Sequence, residues 1–484
     1  MKKLILILVT VFIAVSCSDS LESLNENIKD PSAVSGESLF ISAEKQLVDQ
    51  MVSLNVNQNN TKLWVQYLQE STYTDESNYD QVTRQIPENH WSALYKDVLK
   101  DLNEASKVIE ATTYSTPELN AQKPNKQAII EILTVYTYAN LVETFGDVPY
   151  TEALDSDNLA PAYDDALTIY TDLISRLTAA SNALNTGIGS FGADDERIYD
   201  GNTASWKKFA NSLKLRMGIT LSDVNPALAQ STVENAFSAG LISSSADNAA
   251  YTYSSSDPNT NPLYVDLVLS GRQDFIAGKT LTDIMNAIND PRRPLYLEPV
   301  DGLFVGGEIG SASAYADHSK HAAQFQDPTL PGLLMDYIEV EFLLAEAAAR
   351  GYAVGGTAKN HYDAGITASI TFWGGTATEA SDFLAQATVD YNSAITASSS
   401  TPAWKQVIGT QRWLALFNRG MESWTSIRRL DYPVMAEPTE ALSGYPNRYT
   451  YPTVEQTLNG ESYDAAAAAI GGDAPETKLF FDMF

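Results

Sequence analysis

Residue types that could cleave, coordinate or cradle a ligand are sparse along this chain. Glycoside hydrolysis needs two carboxyl groups flanking the scissile bond, about 5–10 Å apart. The acidic clusters here, Asp164-Asp165 and Asp194-Asp195-Glu196, are sequence neighbours, and they read as helix N-terminal charge and solvated loop. His318 and His321 stand three apart with Asp317 alongside, a spacing a metal could use. With only four histidines in the chain and a single cysteine far away, no metal site is inferred. No G-x-S-x-G elbow occurs, and Gly306-Gly307-Glu308-Ile309-Gly310 lacks the G-K-[ST] of a phosphate loop. The chain is therefore read as non-enzymatic, without cofactor.

Two other segments have a different chemical character. One is Tyr73-Thr74-Asp75-Glu76-Ser77-Asn78-Tyr79; the other carries Tyr251, Tyr253, Asp257, Asn259, Tyr264, Arg272, Asp274 and Phe275. Aromatic rings can stack on the apolar C–H faces of a pyranose while Asn, Asp and Arg bond its hydroxyls, in sites that are concave with few convergent polar groups. The candidate ligand-contacting residues are thus Tyr73, Asp75, Tyr79, Tyr251, Tyr253, Asp257, Asn259, Tyr264, Arg272 and Phe275. Tyr73 and Tyr79 could equally cap a scaffold. The tyrosines of the second segment lack helical spacing and have less reason to be core. An anionic polymer would need a basic cluster, but residues 60–86 hold only Lys62 and Arg84, and residues 250–280 only Arg272 and Lys279, so a neutral glycan is expected.

The elements that must position these residues are mostly helical. Trp91, Leu94, Tyr95, Val98 and Leu102 fall at i, i+3, i+4, i+7 and i+11, as do Trp206, Phe209, Ala210, Leu213 and Met217, and Trp413, Leu416, Phe417, Gly420 and Trp424. These tryptophans, and Trp64 before Tyr67 and Leu68, read as packing residues. Further helices are expected at about 39–54, 126–145, 164–184, 337–350 and 362–372, and Gly146 and Pro149 end the second of these. The stretches 89–111 with 126–145, and 337–350 with 358–373, form helix pairs of tetratricopeptide-like size, in which neither helix buries its face alone. From about 243 to 332 turn residues dominate, with one short helical stretch at about 281–288, so this part is an irregular excursion from a helical scaffold over 39–242 and 333–484.

The N-terminus sets the compartment. Lys2 and Lys3 precede an apolar run from Leu4 to Val15, then Ala14-Val15-Ser16-Cys17. The run is too short to span a bilayer and reads as a signal peptide over 1–16. Cys17 is the chain's single cysteine and stands where a lipoprotein cleavage site puts the residue that is acylated. A polar stretch over 17–38 reads as a flexible tether. Acyl chains contribute about 0.8 kcal/mol per buried methylene, so the mature protein would be anchored to the membrane without crossing it. A formal charge of −30 and the absence of a dense Lys/Arg run exclude nucleic acid as a partner.

Several blocks now resemble one family. These are WVQYLQESTYTDESNY (Trp64–Tyr79), FGDVPYTEAL (Phe145–Leu154), YDGNTASWKKFANSLKLRM (Tyr199–Met217), YDAGITASITFWG (Tyr362–Gly374), QRWLALFNRGMESWTSIRRLDYP (Gln411–Pro433) and TKLFF (Thr477–Phe481). In this order they resemble the SusD/RagB lipoproteins of the Bacteroidetes outer membrane, particularly the SusD-like subgroup. The resemblance implies a mostly α fold of tetratricopeptide-like pairs with an irregular excursion. It also implies a cell-surface, lipid-anchored, non-catalytic protein that captures oligo- or polysaccharide for a SusC-like TonB-dependent transporter. A helical-repeat lipoprotein holding peptide or protein cargo is the alternative reading.

Overall fold

The computed structural model describes residues 34–483. The signal peptide over 1–16, the acylation site Cys17 and the tether up to residue 33 lie outside the described residues. Among those described, no helix is long and apolar enough to cross a membrane.

The scaffold is helical. Its principal helices are α1 (Gly36–Val52), α2 (Lys100–Ala111), α3 (Lys123–Phe145), α4 (Ala166–Ala183), α5 (Thr203–Thr220), α6 (Pro226–Ala239), α7 (Tyr337–Ala349), α8 (Ala358–Phe372), α9 (Ala403–Ala415) and α10 (Gly420–Leu430). Short polar side chains start them. Ser35 accepts from the Ser38 N–H at the head of α1, Asn202 from those of Ala204 and Ser205 at α5, and Asp336 from that of Glu339 at α7. Thus α1 begins inside the stretch read as tether. The run read as one helix over 89–111 is continuous but mixed: an α-helical turn (Ile86–Ser92), a π-helical segment (Ala93–Leu99), then α2. At the end of α3, Gly146 holds φ +89° with ψ −125°, a positive φ outside the left-handed helical well, and a side chain there would press on Leu479.

Successive helices pack on one another: α3 on α4, α5 on α6, α7 on α8 and α9 on α10. Trp64, Trp206 and Trp413 are fully buried in the resulting core. Charge is buried with them. Glu339 takes Arg216 and Arg419, each at 2.7 Å, and Glu346 takes Arg429 at 2.6 Å and Arg350 at 3.0 Å, while the Arg412 guanidinium lies within 4 Å of both carboxylates.

Between α6 and α7 the chain is more ordered than its turn residues suggest. Beyond Lys279–Ala287, it holds a helical turn at Pro262–Tyr264 that continues as a π-helical Val265–Leu269, and another helical turn at Arg293–Tyr296. Asn261-Pro262 reads as a turn, but it is a helix start. Asn261 Oδ1 accepts the Leu263 N–H at 2.8 Å and proline occupies the first helical position.

Four short strands tie this stretch to the scaffold: β1 (Leu68–Glu70), β2 (Ala249–Tyr251), β3 (Phe275–Ala277) and β4 (Gly332–Met335). β1 pairs antiparallel with β3, and β2 with β4.

Candidate functional site

The β1–β3 ladder places Glu70 opposite Phe275 and so joins the two segments singled out above. Beyond it, the Ser71 N–H donates to Asp274 O at 2.7 Å and the Ser71 hydroxyl to Gln273 O at 2.6 Å. The turn leaving β1 and the segment entering β3 therefore stand side by side. They enclose, with the Leu54–Asn57 loop and the π-helical turn, a hollow of about 190 Å³.

The phenol ring of Tyr73 is 61% exposed at this hollow, and Phe275 lines it with a nearly buried ring. Two arginines face it. Arg84 Nε donates to Glu76 at 2.5 Å and Arg272 Nε donates to Asp274, while neither Nη pair has a protein partner among the described residues. Glu70, Asp266 and Asp274 add acceptors. Burial pushes Asp266 up to about 6, against the pull of buried Lys62 and the Leu54 N–H. Lys62, held by the carbonyls of Val52 and Ser53, is itself lowered to about 7 by burial. Glu70 is driven well above the usual carboxylate range, first by burial and then by its neighbour Glu76. The π-helical turn that supplies Asp266 also exposes Val265, Val268 and Leu269. Such turns interrupt helices frequently at functional sites. One open ring, apolar rim atoms and paired charges with free N–H groups suit a polyhydroxylated ring.

Of the residues expected from sequence, Tyr73, Arg272 and Phe275 meet here. The others are placed elsewhere. Asp75 is exposed on the turn, where its carbonyl accepts from Asn78 and Asp80. Tyr79 is buried at φ +73°, its ring edge-on to Tyr445, at a separate open hollow of about 460 Å³ beside Val434 and Met435. Asp257 and Asn259 sit on an exposed loop closed by the Ser254 N–H bonding Asn259 O, and Tyr264 is half-buried on its helical turn.

Tyr251 and Tyr253 are interior residues, each 4% exposed. Their rings meet edge to face at 4.9 Å, and the Tyr253 hydroxyl donates to Asp49 of α1 at 2.7 Å. Lack of helical spacing does not keep them from the core, because the β2–β4 pairing turns them under α1. Sequence reasoning passed over Arg84 and Asp266. Arg84 is the lone arginine of its segment, a signal that becomes specific only once β1 and β3 are known to pair. His318 and His321 diverge: His318 is half-buried and bonds Ala314 O, whereas His321 is buried against Phe325 and Phe417.

Comparison with known proteins agrees with this architecture. A SusD-like family model, described as starch-binding and associating with the outer membrane, matches residues 28–452. No curated protein sequence matches significantly. Among solved structures, a SusD homologue from Bacteroides uniformis is 26% identical, covers 92% of this chain and 99% of its own, and superposes with a TM-score of 0.77. A chitin-binding SusD homologue from Flavobacterium johnsoniae is 24% identical, with 93% and 98% covered and a TM-score of 0.77. Another chitin-binding protein is 24% identical, with 93% and 100% covered and a TM-score of 0.78.

Proposed function

Since the chain belongs to the SusD-like family, whose members bind carbohydrate without catalysing its cleavage, we propose that it captures a neutral glycan, with glucan favoured, in the hollow between the Tyr73 turn and the 264–275 segment. The glycan would then pass to a SusC-like TonB-dependent barrel, with the protein held at the cell surface through Cys17. We read the helix pairs as a tetratricopeptide-like frame for this site.

One observation carries the reading: an exposed tyrosine ring and two arginines with unengaged Nη groups line a single hollow. Each arginine already has its own carboxylate, Glu76 or Asp274, so no uncompensated positive charge waits for a uronate or sulfate. Donors and acceptors are present together, as a hydroxyl-bearing ligand requires. The family description as starch-binding favours glucan; two of the similar structures are chitin-binding proteins, which makes chitin the second neutral polymer to test.

Affinity electrophoresis tests the proposal. The wild-type chain should be retarded by soluble starch, and less so or not at all by alginate, while Tyr73→Ala should migrate freely. Retardation by alginate in preference to every neutral polymer would overturn it.

A further inference from the structure

The Tyr73 hollow makes no use of the block Phe145–Leu154. Tyr150 and Leu154 of that block line a second, larger hollow of about 650 Å³, whose other walls come from α2, α3 and α4. One wall is braced and its charges are paired. Arg176 of α4 gives its fork to Glu131 of α3, at 2.6 and 3.0 Å, and to the Tyr150 hydroxyl at 2.7 Å, and that hydroxyl donates to Asp172. Tyr138 meets the half-buried Tyr150 ring edge to face at 4.9 Å and so holds it in one orientation. The exposed charges Lys107 and Asp155 are of opposite sign.

Against this wall stand hydrogen-bonding groups that the fold leaves over. Tyr138 lines the hollow and is only 3% exposed, yet its hydroxyl is neither bonded by a described residue nor shut off from solvent. The half-buried Asn103 amide on α2 likewise has no partner among the described residues. Phenol and amide together offer donors and acceptors within one concavity, beside the apolar side chains of Leu102 and Ile130.

A peptide fits this hollow less well. Grooves take peptide along an open strand edge, in a mainly apolar trough, in an aromatic slot for proline-rich segments, or on a cluster of unpaired cations. No strand residue lines this hollow, amides and hydroxyls interrupt its apolar side chains, and Arg176 is already paired.

We propose that this hollow is a second saccharide site, which engages a neutral polymer already held beside Tyr73. The inference rests on the reading of the chain as a binder of neutral glycan. A single helical run sets the spacing of the two hollows. Asn89 Nδ2 donates to the Asn57 carbonyl at the first hollow, and Asn103 at the second lies roughly 20 Å further along the same continuous helix. A polymer long enough to bridge that span meets the second hollow at high effective concentration, so a site too weak to hold sugar alone still tightens the grip on a long chain.

The test uses the mature chain. Tyr138→Phe deletes a hydroxyl that no described residue bonds, so it should melt as wild type does; Asn103→Ala, on a half-buried helix position, is the second variant. In starch affinity gels each should weaken apparent affinity by about tenfold. The second hollow is read directly in Tyr73→Ala, by saturation transfer to a neutral gluco-oligosaccharide at millimolar concentration. The signal should persist in Tyr73→Ala and vanish when Tyr138→Phe and Asn103→Ala are added to it. Starch retardation unchanged in both single variants, or a saturation-transfer signal that survives both substitutions, would overturn the second site. So would saturable binding of a peptide that Tyr138→Phe abolishes and sugar does not displace. If Tyr73→Ala binds starch as wild type does while Tyr138→Phe does not, the reading of the Tyr73 hollow falls and the second site stands; if no sugar binds at either hollow, both fall.

Discussion

The core around α7 and the hollow beside Tyr73 use the same side chains in opposite ways. In the core, Arg419 spends its guanidinium on Glu339, Asp336 and the Leu334 carbonyl, and Arg429 its own on Glu346 and the Ile219 carbonyl, all out of reach of solvent. At the hollow, Arg84 and Arg272 each give one Nε to a carboxylate and leave the rest of the fork open. Aromatic residues divide likewise. Trp413 buries its ring and donates Nε1 to the Val65 carbonyl at 2.9 Å, whereas Tyr73 presents its ring with no hydrogen-bond partner among the described residues. Paired charge shut away from solvent holds a scaffold together; paired charge whose spare donors face an open hollow can bind something else.

Breaking the core side should have the largest effect. Glu339→Ala takes from buried Arg216 and Arg419 the carboxylate that they share at 2.7 Å, and removing one partner of such a pair costs about 3–5 kcal/mol. A large fall in melting temperature should follow, with sugar binding by the surviving folded fraction unchanged. The same carboxylate gives the pH dependence its sign. Burial opposes its charge, but Arg216 and Arg419 outweigh burial and hold Glu339 below the usual range. Its contribution is present above the ordinary glutamate value and is lost as pH falls, so acid melts should converge for wild type and variant.

On the site side, Tyr73→Ala should weaken glycan binding by about 1 kcal/mol or more and leave the melting temperature nearly unmoved, as read by calorimetry beside a thermal melt. Tyr253→Phe draws the line within the excursion itself. It removes the hydroxyl bonded to Asp49, so about 1 kcal/mol of stability should go while binding stays.

The smallest effect is expected at the α7–α8 pair. His361 Nδ1 lies 2.7 Å from Glu341 and Nε2 lies 2.6 Å from Gly355 O, two acceptors that both ring nitrogens satisfy only as imidazolium. Burial works against this charge, but the two bonds prevail and raise the group. The stabilisation is full at acid pH and fades as pH climbs through the raised value. A modest fall in wild-type melting temperature from pH 5.5 to 8.5, absent in His361→Asn, would show it.

The helices were legible because three-turn stripes such as Trp206 to Met217 repeat at a period that only a helix satisfies. The site was legible in halves. Tyr73 and the Arg272–Phe275 segment stood out by composition, yet nothing local says that they meet, since β1 and β3 are three residues each and too short for alternation to register. Tyr251 and Tyr253 misled for the same reason, because their burial comes from pairing with a strand some eighty residues on. Nor could the buried arginines be told from surface ones. Arg412 and Arg419 sit in a motif that reads as an amphipathic face with charge toward water, and the arrival of α7 brings Glu339 to both.

Titration calorimetry of wild type and Tyr73→Ala with a neutral gluco-oligosaccharide, under identical buffer, addresses the account most directly. A saturable heat in wild type that shrinks strongly in Tyr73→Ala, with both proteins melting at the same temperature, is the result predicted here. Equal heats in the two proteins, or no heat with any sugar and saturable binding of a peptide instead, would contradict it.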